Sequence, residues 1–368
     1  MNILHVYRTY FPDTQGGLEE AIRQICFNTR DKGIKSRVFT LSKNAEPEFI
    51  SFEEADVYRY KQDFEIASCG FSVRALSEFK KHIAWADIVN YHFPWPFADI
   101  LHFVSKVEKP VVITYHSDIV RQQGLLKFYQ PLMRRFLDSA DFIVATSANY
   151  RQTSPTLLHY LDKTIVIPIG INEISYPKAD KKLKEELKSQ YGEGFFLFIG
   201  VFRYYKGLEY LIKSVMNTDL KLIIAGSGPE EEHLRQIATN LRNNVFFVGQ
   251  ISDEEKDALI ELSKAIVLPS IQRSEAFGVT LLEGSMYGKP LISTELGTGT
   301  SYINQNGLTG YVIPPKDHLE LQRVMIKIKS DDVLAAQLGA NSRRWYESQF
   351  TGEKMGEQYS LLYSKILA

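Results

Sequence analysis

Ala265-Ile266-Val267-Leu268-Pro269-Ser270, and three residues later Ser274-Glu275-Ala276-Phe277-Gly278-Val279-Thr280-Leu281-Leu282-Glu283-Gly284, read as a buried strand, a loop and the start of a helix. The first run is short, apolar and β-branched, the composition of a strand covered on both faces. The second carries two glutamates eight residues apart around a helix start near Gly278 or Val279. The first amides of a helix have no intrahelical partner and its dipole is positive there, so the backbone from Phe277 to Thr280 offers an anion site at the carboxyl end of a strand.

The same unit repeats outward in both directions. Ala265–Ser270 belongs to a series with Phe195–Gly200, Leu220–Gly226, Val245–Gly249, Pro290–Thr294 and Gly310–Pro314, separated by helical stretches such as Leu208–Val215 and Glu254–Leu262. An earlier series comprises Ile3–Tyr7, Arg37–Leu41, Val57–Tyr60, Ile88–His92, Val111–His116, Phe142–Thr146 and Thr164–Ile169. Strand–helix alternation calls for mostly parallel sheets with helices on both faces. The rhythm weakens between 172 and 191, around Pro177 and the lysine-rich Lys178–Lys182, which places a boundary there. The chain therefore reads as α/β, with two doubly wound Rossmann-like domains: residues 1–172 and residues 173–345. A length of 368 residues agrees, since one core usually stops growing at roughly 250–300. Ligands of such sheets bind in the crevice outside the carboxyl ends of the strands.

A formal net charge of -1 gives no general attraction to nucleic acid. Cys26 and Cys69, the only cysteines, lack metal-ligand spacing and read as reduced thiols of a cytoplasmic protein. The first residues show no secretory signal, and no apolar run reaches the roughly 18 residues needed to span a bilayer. Peripheral contact is the membrane association left open.

Several other strand ends carry chemistry. Gly200-Val201-Phe202-Arg203-Tyr204-Tyr205-Lys206-Gly207 offers two cations for phosphate oxygens, or two surface charges. Ala225-Gly226-Ser227-Gly228-Pro229 is a tight turn, without the full spacing of a dinucleotide fingerprint. Gly16-Gly17 leads into a helix and lets backbone approach a ligand. His116 closes Val111–His116, as a ligand contact or a hydrogen-bonded structural residue. Glu283 is placed to reach ribose hydroxyls and Glu275 a sugar; equally, the first compensates a helix dipole and the second is a solvated loop charge. His92-Phe93-Pro94-Trp95-Pro96 lines a cleft or forms a rigid aromatic loop. Arg121, Lys127, Arg134 and Arg135 alternate with Leu125, Leu126, Phe128, Tyr129, Leu132, Met133 and Phe136, as two short helices broken at Pro131. That tract fits an anionic membrane surface, or a core-facing stripe with a charged back.

In order along the chain, Gly-x-x-Arg-x-x-Lys-Gly (200–207), Ala-Gly-Ser-Gly-Pro (225–229), Val248-Gly249, Pro269-Ser270, Glu275-x(7)-Glu283 and Gly307-x-x-Gly310 resemble the C-terminal domain of glycosyltransferase family 4. The likeness extends over nearly the whole chain, because His116 and Gly16-Gly17 also fall where such enzymes have theirs. It departs at Val201, where most members carry arginine; here the arginine comes two residues later, at Arg203. The resemblance implies the GT-B fold, two domains facing across a cleft, with a C-terminal helix (346–368) crossing back onto the first. It implies retention of anomeric configuration, an N-terminal acceptor domain and a C-terminal nucleotide-sugar domain. Carried over by position, Arg203 and Lys206 hold the diphosphate. Glu275 with the backbone of Phe277, Gly278, Val279 and Thr280 reads the donor sugar and its phosphates. Glu283 holds the ribose, Gly16 and Gly17 lie beside the phosphates, and His116 approaches the sugar. Catalytic duties fall on His116, Glu275, Arg203 and Lys206.

The tracts Thr114–Arg121 and Arg203–Gly207 are most similar to bacterial mannosyltransferases of lipopolysaccharide O-antigen or exopolysaccharide synthesis. That implies GDP-mannose as donor and a polyprenyl-diphosphate-linked saccharide or other glycan as acceptor. The protein would then be cytoplasmic, peripheral on the inner face of the cytoplasmic membrane. No Asp-x-Asp is present, so neither a metal nor another cofactor is expected. A UDP-sugar donor, a glycan phosphorylase and a non-enzymatic sugar-binding protein are the alternatives.

Overall fold

The computed structural model describes all residues except 67–68, 121–122, 240 and 242–243. Arg121 of the basic tract and the side chain of Leu125 lie outside the described residues. The chain divides into two compact units, Met1–Gly170 with Gly352–Ala368, and Ile171–Thr351.

In the first unit the strands are β1 (Asn2–Val6), β2 (Lys35–Ser42), β3 (Phe49–Ser51), β4 (Asp56–Lys61), β5 (Phe64–Ile66), β6 (Cys69–Phe71), β7 (Ile88–Phe93), β8 (Val111–Tyr115), β9 (Phe142–Ala145) and β10 (Thr164–Val166). Among the described residues they form an eight-stranded sheet in the order β10-β9-β8-β7-β1-β2-β4-β3, and a separate hairpin of β5 and β6. Every pairing in the large sheet is parallel except that of the edge strand β3 with β4. Full burial of Ile3, Val38, Val112 and Val144 is what β-branched runs under helices on both faces achieve. Strand order reverses at β1, so the ends of β1, β7 and β8 border the ligand crevice of this sheet.

The helix Gly352–Leu367 closes one face of this unit. Met355, Tyr359, Leu362 and Tyr363 join a core with Ile3, Ile25, Ile88 and Val112. Burying such side chains contributes about 1.5–3 kcal/mol each. Its approach to the helix Gly17–Arg30 depends on Gly356, where a Cβ would stand 2.2 Å from the Asn28 carbonyl oxygen. Tyr363 Oη accepts from Asn90 Nδ2 at 2.8 Å and Tyr359 Oη lies 3.2 Å from Thr114 Oγ1, which orients the helix over β7 and β8. The crossing element begins at Gly352 and not at residue 346: Tyr346 hydrogen-bonds the Ile171 carbonyl and Phe350 packs on Phe277 and Tyr302, all within the second unit.

The second unit contains β11 (Phe196–Ile199), β12 (Leu222–Ala225), β13 (Val245–Gly249), β14 (Ala265–Leu268), β15 (Leu291–Thr294) and β16 (Gly310–Ile313). They make a parallel sheet in the order β13-β12-β11-β14-β15-β16. The order reverses between β11 and β14, so the loops after these two neighbouring strands face one another at the switch point. Those loops carry Arg203 with Lys206, and Glu275.

Candidate functional site

At this switch point the Lys206 ammonium and a Glu275 carboxylate oxygen form a short ion pair, although 69 residues separate them. Glu275 also accepts from the Ser270 hydroxyl at 3.2 Å and is 8 % exposed. The solvated-loop-charge alternative is thereby corrected: a carboxylate this buried requires a partner, and Lys206 is it. Burial alone would lower the lysine; the adjacent Glu275 charge outweighs it and holds Lys206 above its ordinary value. Arg203 is exposed, at the head of the short 3-10 turn Tyr204–Lys206, with Val201 at the surface beside it and Phe202 buried below. Phe202 anchors the loop to the turn after β12: its amide donates to the Ser227 carbonyl at 2.9 Å.

The helix after Glu275 runs Val279–Met286 and is entered through Gly278, whose φ of 92° is the left-handed conformation that glycine adopts without a Cβ penalty. Thr280 Oγ1 donates to the Ile199 carbonyl at 3.1 Å, so this side chain is committed to joining the two loops. Phe277 is buried against Phe350, which leaves only its backbone for contact with a ligand. Glu283 is 5 % exposed and accepts from Lys256 Nζ at 3.1 Å. Lys256 also meets Asp253 at 2.9 Å and lies 4.9 Å from the Tyr176 ring centre. Burial again opposes its charge, and Glu283 with Asp253 raises it well above the usual lysine range. Sequence reasoning missed Lys256; the signal was a buried carboxylate in need of a cation.

In the first unit, Gly16 caps the helix Gly17–Arg30, and its carbonyl accepts the Glu20 amide at 2.9 Å. Glu19 folds beside this helix start and accepts from the Thr9 and Thr14 hydroxyls, both at 2.7 Å. An anion arriving at Gly16 and Gly17 therefore meets a resident carboxylate beside them, with Glu19 Oε2 2.7 Å from where a Cβ on Gly16 would stand. The loop before it is pinned by Arg59, which donates to both carboxylate oxygens of Asp13 at 2.8 and 2.6 Å. Neither Glu19 nor Arg59 was singled out from the sequence.

His116 stands just beyond β8, 4 % exposed. Its Nε2 lies 2.9 Å from His92 Nδ1, and His92 Nε2 lies 3.1 Å from His5 Nδ1. The rings stack along the row, with centres 5.2 and 5.4 Å apart. Burial drives His116 and His5 down to about 3 and His92 well below its ordinary value, so the row is neutral. His92, Phe93 and Trp95 are almost fully buried, which makes the aromatic tract a packed loop of the interior.

The basic tract forms one helix, Gln123–Asp138, with Pro131 inside it, and not two. Proline removes the amide that would bond the Lys127 carbonyl, but both residues lie on the exposed face, where water replaces that bond. Met133, Phe136 and Leu137 face the core, while Lys127, Phe128, Arg134 and Arg135 face out, Phe128 being 86 % exposed. Among the described residues no helix is long and apolar enough to cross a membrane.

Two doubly wound sheets, each with its charged or polar loops at the switch point, and a last helix returned to the first unit, define a GT-B transferase. The description "Glycosyltransferase Family 4" matches residues 15–173, and "Glycosyl transferases group 1" matches residues 179–345. D-rhamnosyltransferase WbpZ of Pseudomonas aeruginosa is 47% identical over 353 residues, covering 95% of this chain and 92% of that protein. O-antigen chain mannosyltransferase C of Escherichia coli is 45% identical over 368 residues, covering 100% of this chain and 99% of its own. Among solved structures, sucrose-phosphate synthase of Thermosynechococcus elongatus superposes with a TM-score of 0.83 at 20% identity, over 100% of this chain and 99% of that one. The Anabaena protein HepE with UDP and glucose gives 0.79 at 19%, over 98% and 99%. The chain belongs to glycosyltransferase family 4 and is a glycosyltransferase.

Proposed function

We propose that this glycosyltransferase moves mannose from GDP-mannose, with retention, to a lipid-linked saccharide of O-antigen assembly. The observation that carries the donor half is the buried Lys206–Glu275 pair beside the helix start at Gly278. Lys206 and Arg203 neutralise the diphosphate as it leaves, assisted by the first amides of the helix, and Glu275 takes hydroxyls of the sugar. Removing one such preorganised group typically costs about 10²–10³ in turnover. The bond between the anomeric carbon and the phosphate oxygen breaks while the acceptor hydroxyl oxygen bonds that carbon from the same face, and its proton passes to the departing phosphate oxygen. Glu283, held by Lys256, accepts from the ribose. His116 faces the transferred sugar. No metal is required in this scheme, since lysine and arginine supply the positive charge.

The name of the E. coli relative supports mannose and O-antigen. That of the P. aeruginosa relative favours a second donor, GDP-D-rhamnose, which is the same sugar without its 6-hydroxyl. The exposed Lys127, Phe128, Arg134 and Arg135 face anionic lipid on the inner side of the cytoplasmic membrane, where the acceptor resides. A thermal-shift panel of GDP, UDP and ADP with their mannose, 6-deoxymannose and glucose conjugates, with EDTA or magnesium, tests the reading. A ligand at 100 times its Kd stabilises by about 2.7 kcal/mol. Stabilisation by GDP in EDTA is expected; stabilisation by UDP alone, or only with magnesium, refutes it.

A further inference from the structure

The row of His5, His92 and His116 crosses three adjacent parallel strands, β1, β7 and the end of β8, and runs from the centre of the sheet to its carboxyl edge. His5 is 0 % exposed and touches no solvent, so it meets no substrate. A neutral imidazole has one proton and one lone pair. Each contact in the row uses one of each, so the protons must all point the same way. Running outward, every ring carries its proton on Nδ1, His116 presents Nδ1–H, and the unused group is a lone pair at His5 Nε2. Running inward, every proton sits on Nε2, His116 presents a lone pair, and an N–H is buried at His5.

The two arrangements are not equal, because His5 Nε2 is buried without a hydrogen-bond partner among the described residues. An orphaned buried N–H is rarer than an under-satisfied acceptor. The outward arrangement is therefore favoured, and protonating any ring of the row would place a charge where burial opposes it.

We infer that His5 and His92 are positioning residues that lock His116 as a neutral imidazole with its proton on Nδ1, a hydrogen-bond donor to a hydroxyl or phosphate oxygen of the nucleotide sugar and not a base. The inference rests on the reading that His116 faces the substrate. Its Nε2 lone pair is spent on His92 and its Nδ1 already holds a proton, so neither nitrogen can take the acceptor's proton. This agrees with a proton that leaves with the phosphate.

Two measurements test it. Long-range ¹H–¹⁵N correlation on the full chain with ¹⁵N-labelled histidine, at pH 7, is expected to show Nδ1 protonated and Nε2 unprotonated in all three rings. A proton on Nε2 of His116 overturns the inference, whichever donor the enzyme uses. In kinetics, His5→Phe should lower kcat for GDP release from GDP-mannose, with an alkyl mannoside as acceptor, at least about tenfold, the scale seen when a partner orienting a functional histidine is lost. His5→Asn, whose amide stands in for Nδ1–H, should restore most of it. Wild-type kcat in folded His5→Phe, alongside loss in His116→Ala, refutes the positioning role and leaves the site intact. Full kcat in His116→Ala removes the reading beneath it.

Discussion

Lowering the pH from 7.0 to 5.5 should destabilise the first unit by at least about 4 kcal/mol and leave the second nearly unchanged. His5, His92 and His116 are buried and neutral, with His5 and His116 held to about 3 and His92 well below its ordinary value by burial. In the unfolded chain each titrates near 6.5, so between that value and the folded one the unfolded state binds more protons and stability falls as pH falls. Each fully shifted histidine then loses about 1.2 kcal/mol between pH 7.0 and 5.5, and the three together about 4 kcal/mol. His82 and His102, lowered to about 4 by burial, add about 2 kcal/mol in the same direction, and Asp99, which burial raises well above its ordinary value, recovers at most about 2 kcal/mol over this range, so about 4 kcal/mol is the least loss expected. The second unit holds only His233 and His318, neither buried. Urea titration of a Trp345→Phe variant reads the first unit through Trp85 and Trp95; with a slope of about 2 kcal/mol per molar, the midpoint should drop by at least about 2 M. Hydrogen exchange in peptides spanning Phe196–Ile199 and Ala265–Leu268 follows the second unit. An unmoved first-unit midpoint would falsify the burial of a neutral histidine row.

Other perturbations probe the second unit and the basic helix. Glu275→Gln keeps hydrogen-bonding capacity but strips Lys206 of its counter-charge; turnover should fall about 10²-fold or more with a melt still cooperative, and near-normal turnover would take Glu275 out of the site. Lys256→Met uncouples a buried pair that spans 27 residues, so thermal stability should drop by about 3 kcal/mol and GDP affinity should weaken, read by calorimetry. An unchanged GDP Kd would separate Glu283 from the ribose. Reversing Arg134 and Arg135 to glutamate should cost at least about 2 kcal/mol of binding to phosphatidylserine-containing vesicles, at about 1 kcal/mol per cation; equal sedimentation of variant and wild type would return the helix to a purely structural role.

The fold was legible because its strands announce themselves. Every apolar run read as a strand is one, with ends that differ by up to three residues, shortened at Thr164–Val166 and lengthened at Lys35–Ser42. What escaped was Phe49–Ser51 and the hairpin of Phe64–Ile66 with Cys69–Phe71, each three residues long, too short for alternation to register. At the site, local chemistry after a strand pointed to Lys206, Glu275, Glu283 and His116. Their partners were not legible, since pairing across 69 residues for Lys206 or 87 for His5 with His92 is a product of topology. Pro131 misled for a different reason: its cost depends on whether the freed carbonyl meets water, which a sequence does not state.

The return of the helix Gly352–Leu367 to the first unit has a consequence for synthesis on the ribosome. Residues 1–170 emerge first, yet Asn90, Thr114, Ile25 and Val112 stay uncovered until Gly352–Ala368 has left the exit tunnel. The second unit, continuous from Ile171 to Thr351, can close while the first is still waiting. The order of completion thus inverts the order of translation, and a nascent chain stalled before Gly352 presents a sheet with one face partly uncovered to chaperones.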